Sequence, residues 1–376
     1  MSTRARTIVT RLAAGAALVG LASALAFLVV ACGQASTTPA QEPAAAQPVW
    51  AALPPAPIEV DADLTGTWTG RELLVTGVRA GPDGTFIGST EVAAAYDPVA
   101  NAWQRLPAPP SLDGPCRRSA SWTGTELLVL GCLGKGAAFD PRANRWRSLP
   151  DVSTGDGITV WTGRELIGWG GGCCGDASSG GSAYDPATNR WRTLARSPLA
   201  PDQDPVGAWT GHELVLVVHG IDPADGKPYP LTFARAAAYD PATDTWRRLA
   251  DPPAPVRGSA VWDGHDLLVA GEGRAALAFD PAADRWRRLP SLPSARFGST
   301  LIWTGRRLLV WGVGRFTSQP LPGLAYDPKT GRWSTLPAMP FADGSETALA
   351  WTGRTLLAWP GLGAGAALTS SEGNRR

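Results

Sequence analysis

Residues able to do transition-metal or nucleophilic chemistry are few. The 376 residues include three His (His212, His219, His265) and five Cys (Cys32, Cys116, Cys132, Cys173, Cys174). The charged residues are more informative, because several share one spacing. Five residues before a recurring Trp-x-Gly triplet stand Asp63, Arg117, Asp156, Asp204, Arg257 and Glu346. Gly298 holds that place in the remaining copy, with Arg296 two residues before it. In a closed repeat these positions would form a ring of four acids and two or three Arg around one opening. Such a ring can hold a sugar or a charged ligand through paired hydrogen bonds. Its carboxylates could also face a cation. Solvated charges at a wet opening are the plainer alternative, and neither a metal nor a cofactor is expected.

Asp156 and Asp204 fall in neighbouring copies. Their separation would decide whether they could serve inverting or retaining glycoside hydrolysis. No Gly-x-Ser-x-Gly, His-Glu-x-x-His or phosphate-loop motif is present, so hydrolase, zinc-protease and nucleotide chemistry have no local signature. Asp61, Asp63, Gly66 and Glu72 nearly fit a calcium loop. Thr65 breaks the pattern, and the repeat puts residues 63–68 on a strand.

The four Cys beyond Cys32 are disulfide candidates, the default for an exported protein. Cys116 and Cys132 lie equidistant from Gly124 and could pair across a hairpin. Cys173 and Cys174 could pair with each other or cross to the first pair. A four-Cys zinc is the remaining alternative.

These residues sit on a repeat. Trp-Thr-Gly or Trp-Asp-Gly begins at Trp68, Trp122, Trp161, Trp209, Trp262, Trp303 and Trp351. The first six are followed by Tyr/Phe-Asp-Pro at Tyr96, Phe139, Tyr184, Tyr239, Phe279 and Tyr326. Seven residues later comes a second Trp: Trp103, Trp146, Trp191, Trp246, Trp286 and Trp333. These positions absorb most of the 17 Trp. The triplet's Gly supplies the positive φ of a hairpin turn. A near-continuous apolar run follows, such as Leu73-Leu74-Val75, and predicts a strand covered on both faces. Five residues after each Tyr/Phe stands Asn101, Asn144, Asn189, Asp244, Asp284 or Gly331, all types that tolerate left-handed backbone. Four short antiparallel strands per ~45 residues predict propeller blades.

The Tyr-to-Trp pairs and the glycines ending the second strands (Gly170-Gly171 most fully) resemble the kelch family. More loosely, the chain resembles the central propeller of galactose oxidase. The resemblance spans residues 48 to about 368 and speaks to fold rather than activity. For galactose oxidase it would imply copper held by two Tyr and two His, with one Tyr cross-linked to Cys. Here Tyr96, Tyr184, Tyr239 and Tyr326 occupy the repeat's own slot. His212 and His265 occupy a turn on the opposite face, and only His219 and Tyr229 are free of the repeat.

Seven hairpins need seven fourth strands, and only six Tyr/Phe-Asp-Pro units exist. Trp50 precedes Trp68 by the same 18 residues that separate Trp333 from Trp351. The expected fold is therefore all-β, a seven-bladed kelch-type propeller whose last blade is closed by an N-terminal strand, with six blades as the alternative. Closure removes open sheet edges.

Residues 1–31 read as a lipoprotein signal peptide. Arg4, Arg6 and Arg11 precede an uncharged apolar stretch that ends in Val29-Val30-Ala31-Cys32, which resembles the bacterial lipobox. Cys32 is then the lipidation site. An uncleaved membrane helix is the alternative. Residues 32–47 form a lipid-anchored flexible tether, 48–368 the propeller and 369–376 a tail. The expected location is the outer face of the bacterial cytoplasmic membrane. Beyond the signal, 31 of the 34 basic residues face 33 acidic ones, so a nucleic-acid partner is not expected. A monomeric binding or interaction module is expected, meeting a protein or carbohydrate at its loop face. A carbohydrate-active hydrolase or epimerase-like enzyme working from the ring is the alternative. The variable loops 78–92 and 219–235, the latter with His219, would form the rim.

Overall fold

A computed structural model describes residues 48–112, 118–131, 134–152, 157–172, 177–220, 233–255, 257–313, 321–341 and 347–369. The chain forms seven four-stranded antiparallel sheets. Blades 1 to 6 cover residues 62–105, 119–148, 158–193, 206–248, 258–288 and 297–335. Blade 7 takes three strands from 348–369 and its fourth from Trp50–Pro55 at the other end of the chain. Trp50 pairs with Leu368 and Ala52 with Ala366. The first strands touch in a closed cycle, from Ala62–Trp68 of blade 1 round to Ala348–Trp351 of blade 7 and back. The protein is thus a seven-bladed β-propeller, closed as its Trp spacing predicts. Among the described residues no helix is long and apolar enough to cross a membrane.

Local chemistry builds each blade. Gly70, Gly124, Gly163, Gly211, Gly264, Gly305 and Gly353 all take positive φ. The Thr before each Gly accepts backbone N–H groups further along the turn, as Thr69 does from Arg71 and Glu72 at 3.2 and 2.9 Å. In blade 5 Asp263 replaces that Thr and accepts from His265 and Asp266 at 2.8 and 2.7 Å. The hairpin between third and fourth strands turns on Asn101, Asn144, Asn189, Asp244 and Asp284, all left-handed with φ of 48–54°. Second strands are buried throughout, as in Leu127–Leu130. They feed seven apolar clusters, one in each gap between neighbouring blades.

A ring of indole hydrogen bonds ties the blades together. The Nε1–H groups of Trp103, Trp146, Trp191, Trp246, Trp286 and Trp333 each donate to a carbonyl at the end of the preceding blade's fourth strand, at 2.7–3.0 Å. Trp50 closes the ring by donating to Pro337 O at 3.2 Å. Each such bond contributes about 0.5–1.5 kcal/mol.

The chain's hairpins put two kinds of connection on two faces. The Trp-x-Gly and Asp-Pro turns share one face, the turn face. The loops between second and third strands, and the connections between blades, share the other, the loop face.

Candidate functional site

On the loop face the described charges form separate clusters. Asp63, on the first strand of blade 1, takes a left-handed φ of 57°. Its carboxylate lies 3.8 Å from Arg118 Nε. Arg118 enters blade 2 just before Ser119 and donates to both oxygens of Glu91, at 2.5 and 2.9 Å. Glu91 also accepts Leu112 N–H at 3.3 Å. All three side chains are buried. The arrangement is a bidentate charge pair with a second acid beside it, which locks the blade 1–2 junction.

Between blades 3 and 4, Asp202 holds His219. Asp202 Oδ2 accepts the His219 backbone N–H at 2.6 Å and sits 3.1 Å from Nδ1. Asp202 Oδ1 accepts Asp204 N–H at 2.9 Å, and Asp202 O accepts Gly171 N–H. Burial acts to raise the Asp202 pKa but is outweighed by the hydrogen bonds from His219, which hold it below the usual carboxylate range. His219 belongs to the second strand of blade 4, Leu214–Gly220, rather than to a loop.

Between blades 5 and 6, Arg296 is 1% exposed. One guanidinium nitrogen donates to Pro322 O. Its Nε and Nη1 are buried with no hydrogen-bond partner among the described residues. Desolvation pulls its pKa down to about 10. Asp204 is exposed, and Arg257 is partly buried with its carbonyl accepting Glu272 N–H.

Arg117, Asp156 and Glu346 lie outside the described residues, as do Cys32, Cys116, Cys132, Cys173, Cys174 and Tyr229. Of the expected ring, the described members are Asp63, Asp204, Arg257 and Arg296; these, and His219 of the expected rim, lie in separate local environments. Spacing from the Trp missed Glu91, Arg118 and Asp202. Glu91 had a signal: it is the one charge in the apolar third strand Thr90–Asp97 before its closing Asp.

The blade 1 loop is narrower than expected, because the strands extend to Arg79 and resume at Thr90. Arg79 donates to both oxygens of Asp61 at 2.9 and 2.8 Å and pairs with Glu59 at 2.6 Å. Asp83 accepts the backbone and hydroxyl groups of Thr85 at 3.0 and 2.8 Å. These bonds hold its pKa below the usual range. Gly81 N–H donates to Thr85 O at 2.8 Å, and Ser89 N–H to Phe86 O at 3.2 Å. This hydrogen-bonded loop presents Phe86, 40% exposed, and Ile87, 85% exposed. Residues 221–232, most of the other expected rim loop, lie outside the described residues.

The turn face carries interblade latches. Arg192 of blade 3 donates to Glu165 at 3.3 and 2.6 Å, to Tyr239 Oη of blade 4 at 3.0 Å and to Asp244 at 3.3 Å. Burial acts to lower the Arg192 pKa, yet the bonds to Glu165 and Tyr239 outweigh it, and the pKa rises. Burial and then Asp244 push the Tyr239 hydroxyl up. Arg192 and Glu165 line a groove of about 690 Å³ with Trp209, His212 and Glu213. In blade 5, His265, Asp266 and Asp280 each offer one ligand atom, all within 4.8 Å of one another.

A copper centre of two Tyr and two His is not assembled by the described residues. The Tyr96, Tyr184 and Tyr239 hydroxyls donate to Asn101, Asn189 and Asp244 of their own turns. His219 belongs to Asp202 on the loop face, while His212 and His265 lie in separate turns on the other face.

No protein-family model matches the chain, and no curated protein sequence matches it. Solved structures do. YjhT aligns with a TM-score of 0.53 at 15% identity, over 75% of this chain and 99% of that one. A fungal alcohol oxidase of the AA5 family, in complex with copper, aligns at 0.61 and 14% identity, over 85% and 75%. A chain of a mitotic checkpoint complex aligns at 0.58 and 14% identity, over 93% and 99%. At such identities the likeness establishes the propeller fold alone. That fold occurs in an oxidase and in a multiprotein assembly, so it does not choose between catalysis and interaction.

Proposed function

We propose that the protein is an interaction module of the cell envelope. A lipid on Cys32 would anchor it to the outer face of the bacterial cytoplasmic membrane, and its loop face would engage a protein partner. The observation that carries this reading is the blade 1 loop. Six intra-loop hydrogen bonds pre-organise it, yet its tip exposes Phe86 and Ile87. An ordered apolar tip contributes to binding without a large ordering cost. The direction of the chain supports the same reading. Trp50–Pro55 starts blade 7's outer strand from the turn face, so the chain enters the propeller on the face opposite the blade 1 loop.

The test is a photo-cross-linking residue at position 87 of the full chain in intact cells. Position 99 is the control, since Val99 is equally exposed on the turn face. A discrete adduct from position 87, lost in Phe86→Ser and absent at position 99, is the expected result. No adduct, or the same adducts from both positions, would refute the reading.

A carbohydrate-active enzyme is the second reading, and one observation favours it. Asp202 orients the buried His219 imidazole through Nδ1, an arrangement that suits a general base. Turnover of a cell-wall sugar that disappears in His219→Gln while the fold is retained would move the assignment to this reading.

A further inference from the structure

The geometry points to a divalent-cation site on the turn face of blade 5, formed by His265, Asp266 and Asp280. One imidazole nitrogen and two carboxylate oxygens suit a borderline cation such as Zn²⁺, Co²⁺ or Ni²⁺ rather than Ca²⁺. Their ligand atoms already lie within 4.8 Å of one another. A tetrahedral ion needs each within about 2.0–2.2 Å of itself. The remaining closure falls to His265, whose side chain is 75% exposed and which already lies 3.0 Å from Asp266 Oδ1.

Each carboxylate keeps one oxygen engaged by the protein. Asp266 Oδ2 accepts from Arg287, and Asp280 Oδ1 accepts the N–H groups of Ala282 and Ala283 at 2.9 and 3.0 Å. These bonds orient the carboxylates in the way outer-shell partners orient metal ligands.

The repeat supplies an independent observation. The turn reads Trp-Thr-Gly-Arg-Glu in blades 1 and 3, at residues 68–72 and 161–165. In blade 5 it reads Trp262-Asp263-Gly264-His265-Asp266. Three of the five positions have changed. The basic residue has become an imidazole, the long acid a short one, and the neutral Thr an acid that keeps the Thr's hydrogen bonds. The change removes a cation from the turn and adds a carboxylate, in the one turn where the ligand atoms converge among the described residues. Blade 4 has His212, Glu213 and Asp240 at the same places, but His212 stands 3.9 Å from Glu213, against 3.0 Å between His265 and Asp266. Three protein ligands leave a fourth position for water or for a group from a bound molecule.

The test is titration of the full chain, in detergent, with Co²⁺ read by its visible d–d absorption and with Zn²⁺ read by calorimetry. One equivalent should bind. His265→Arg restores the residue of blades 1, 3, 6 and 7 and should weaken binding at least 10-fold, and Asp280→Asn should do the same. His212→Arg should leave binding unchanged. No binding at millimolar metal, or binding equally affected by His212→Arg, overturns the site.

Discussion

Blades 2 and 3 meet through polar groups, whereas blades 7 and 1 meet through tryptophan. At the first interface Arg147 donates to Glu126 of its own blade at 2.8 and 3.3 Å. It also reaches Tyr184 Oη and Asn189 of the next blade at 2.9 and 3.1 Å. The apolar cluster beneath is small, with Leu128, Leu130 and Leu166 at its centre. At the second interface the Arg position is Ala51 and the Glu position is Thr355. No latch spans it among the described residues. Instead Trp359, fully buried, packs against Trp103 with ring centroids 5.3 Å apart. On the far side of blade 7, Trp311 meets Trp50 edge-on at 6.2 Å. At the blade 7–1 interface itself, Gly66 lets the inner strands close up, since a Cβ on it would stand 2.5 Å from Ala348 Cβ. Blade 7, on one side of this seam, joins the two ends of the chain and has no Tyr/Phe-Asp-Pro hairpin of its own, and the seam has no latch among the described residues. It replaces hydrogen-bonded latches with large apolar surfaces, which tolerate small errors of register better than bidentate bonds do.

The largest test of this contrast is Trp359→Ala. Removing a buried Trp at the seam should cost about 3–5 kcal/mol, seen as a lower midpoint in denaturant unfolding. A loss under about 1 kcal/mol would mean that the seam does not rest on this ring. Arg147→Ala should cost less, about 1 kcal/mol, because the guanidinium is partly exposed and its pairs are screened. A cost equal to that of Trp359→Ala would erase the distinction. The smallest effect is a gain. Tyr96 and Asn101 stand ready across the seam, hydrogen-bonded to each other at 2.7 Å. Ala51→Arg with Thr355→Glu should build the missing latch and add about 0.5 kcal/mol. Either substitution alone should add less, and unchanged stability in the double variant would show that seam geometry does not admit the latch.

The blades were legible in the sequence because their signals are local. A Gly or Asn that must turn left-handed, a Thr that caps its own hairpin and an aromatic–Trp pair seven residues apart act within one blade. The closing strand was legible too, since Trp50 and Trp68 repeat the spacing of Trp333 and Trp351. The loop-face charges were not. Arg117 and Arg118 are adjacent, and on an extended chain adjacent residues point to opposite sides. Spacing alone did not say which of them would reach Glu91. His219 likewise looked like a loop residue until the second strand of blade 4 proved long enough to bury it beside Asp202. The turn-face cluster was hidden by the repeat itself, because His265 occupies a place where other blades carry Arg.

Blade count, strand order, hairpin turns and the manner of closure follow from the sequence by itself, because each rests on contacts within about 45 residues or on exact repetition. The partners of the buried charges were decided only by the tertiary structure. Those contacts cross from one blade to the next, and their geometry depends on how closely two sheets pack, which no single repeat encodes.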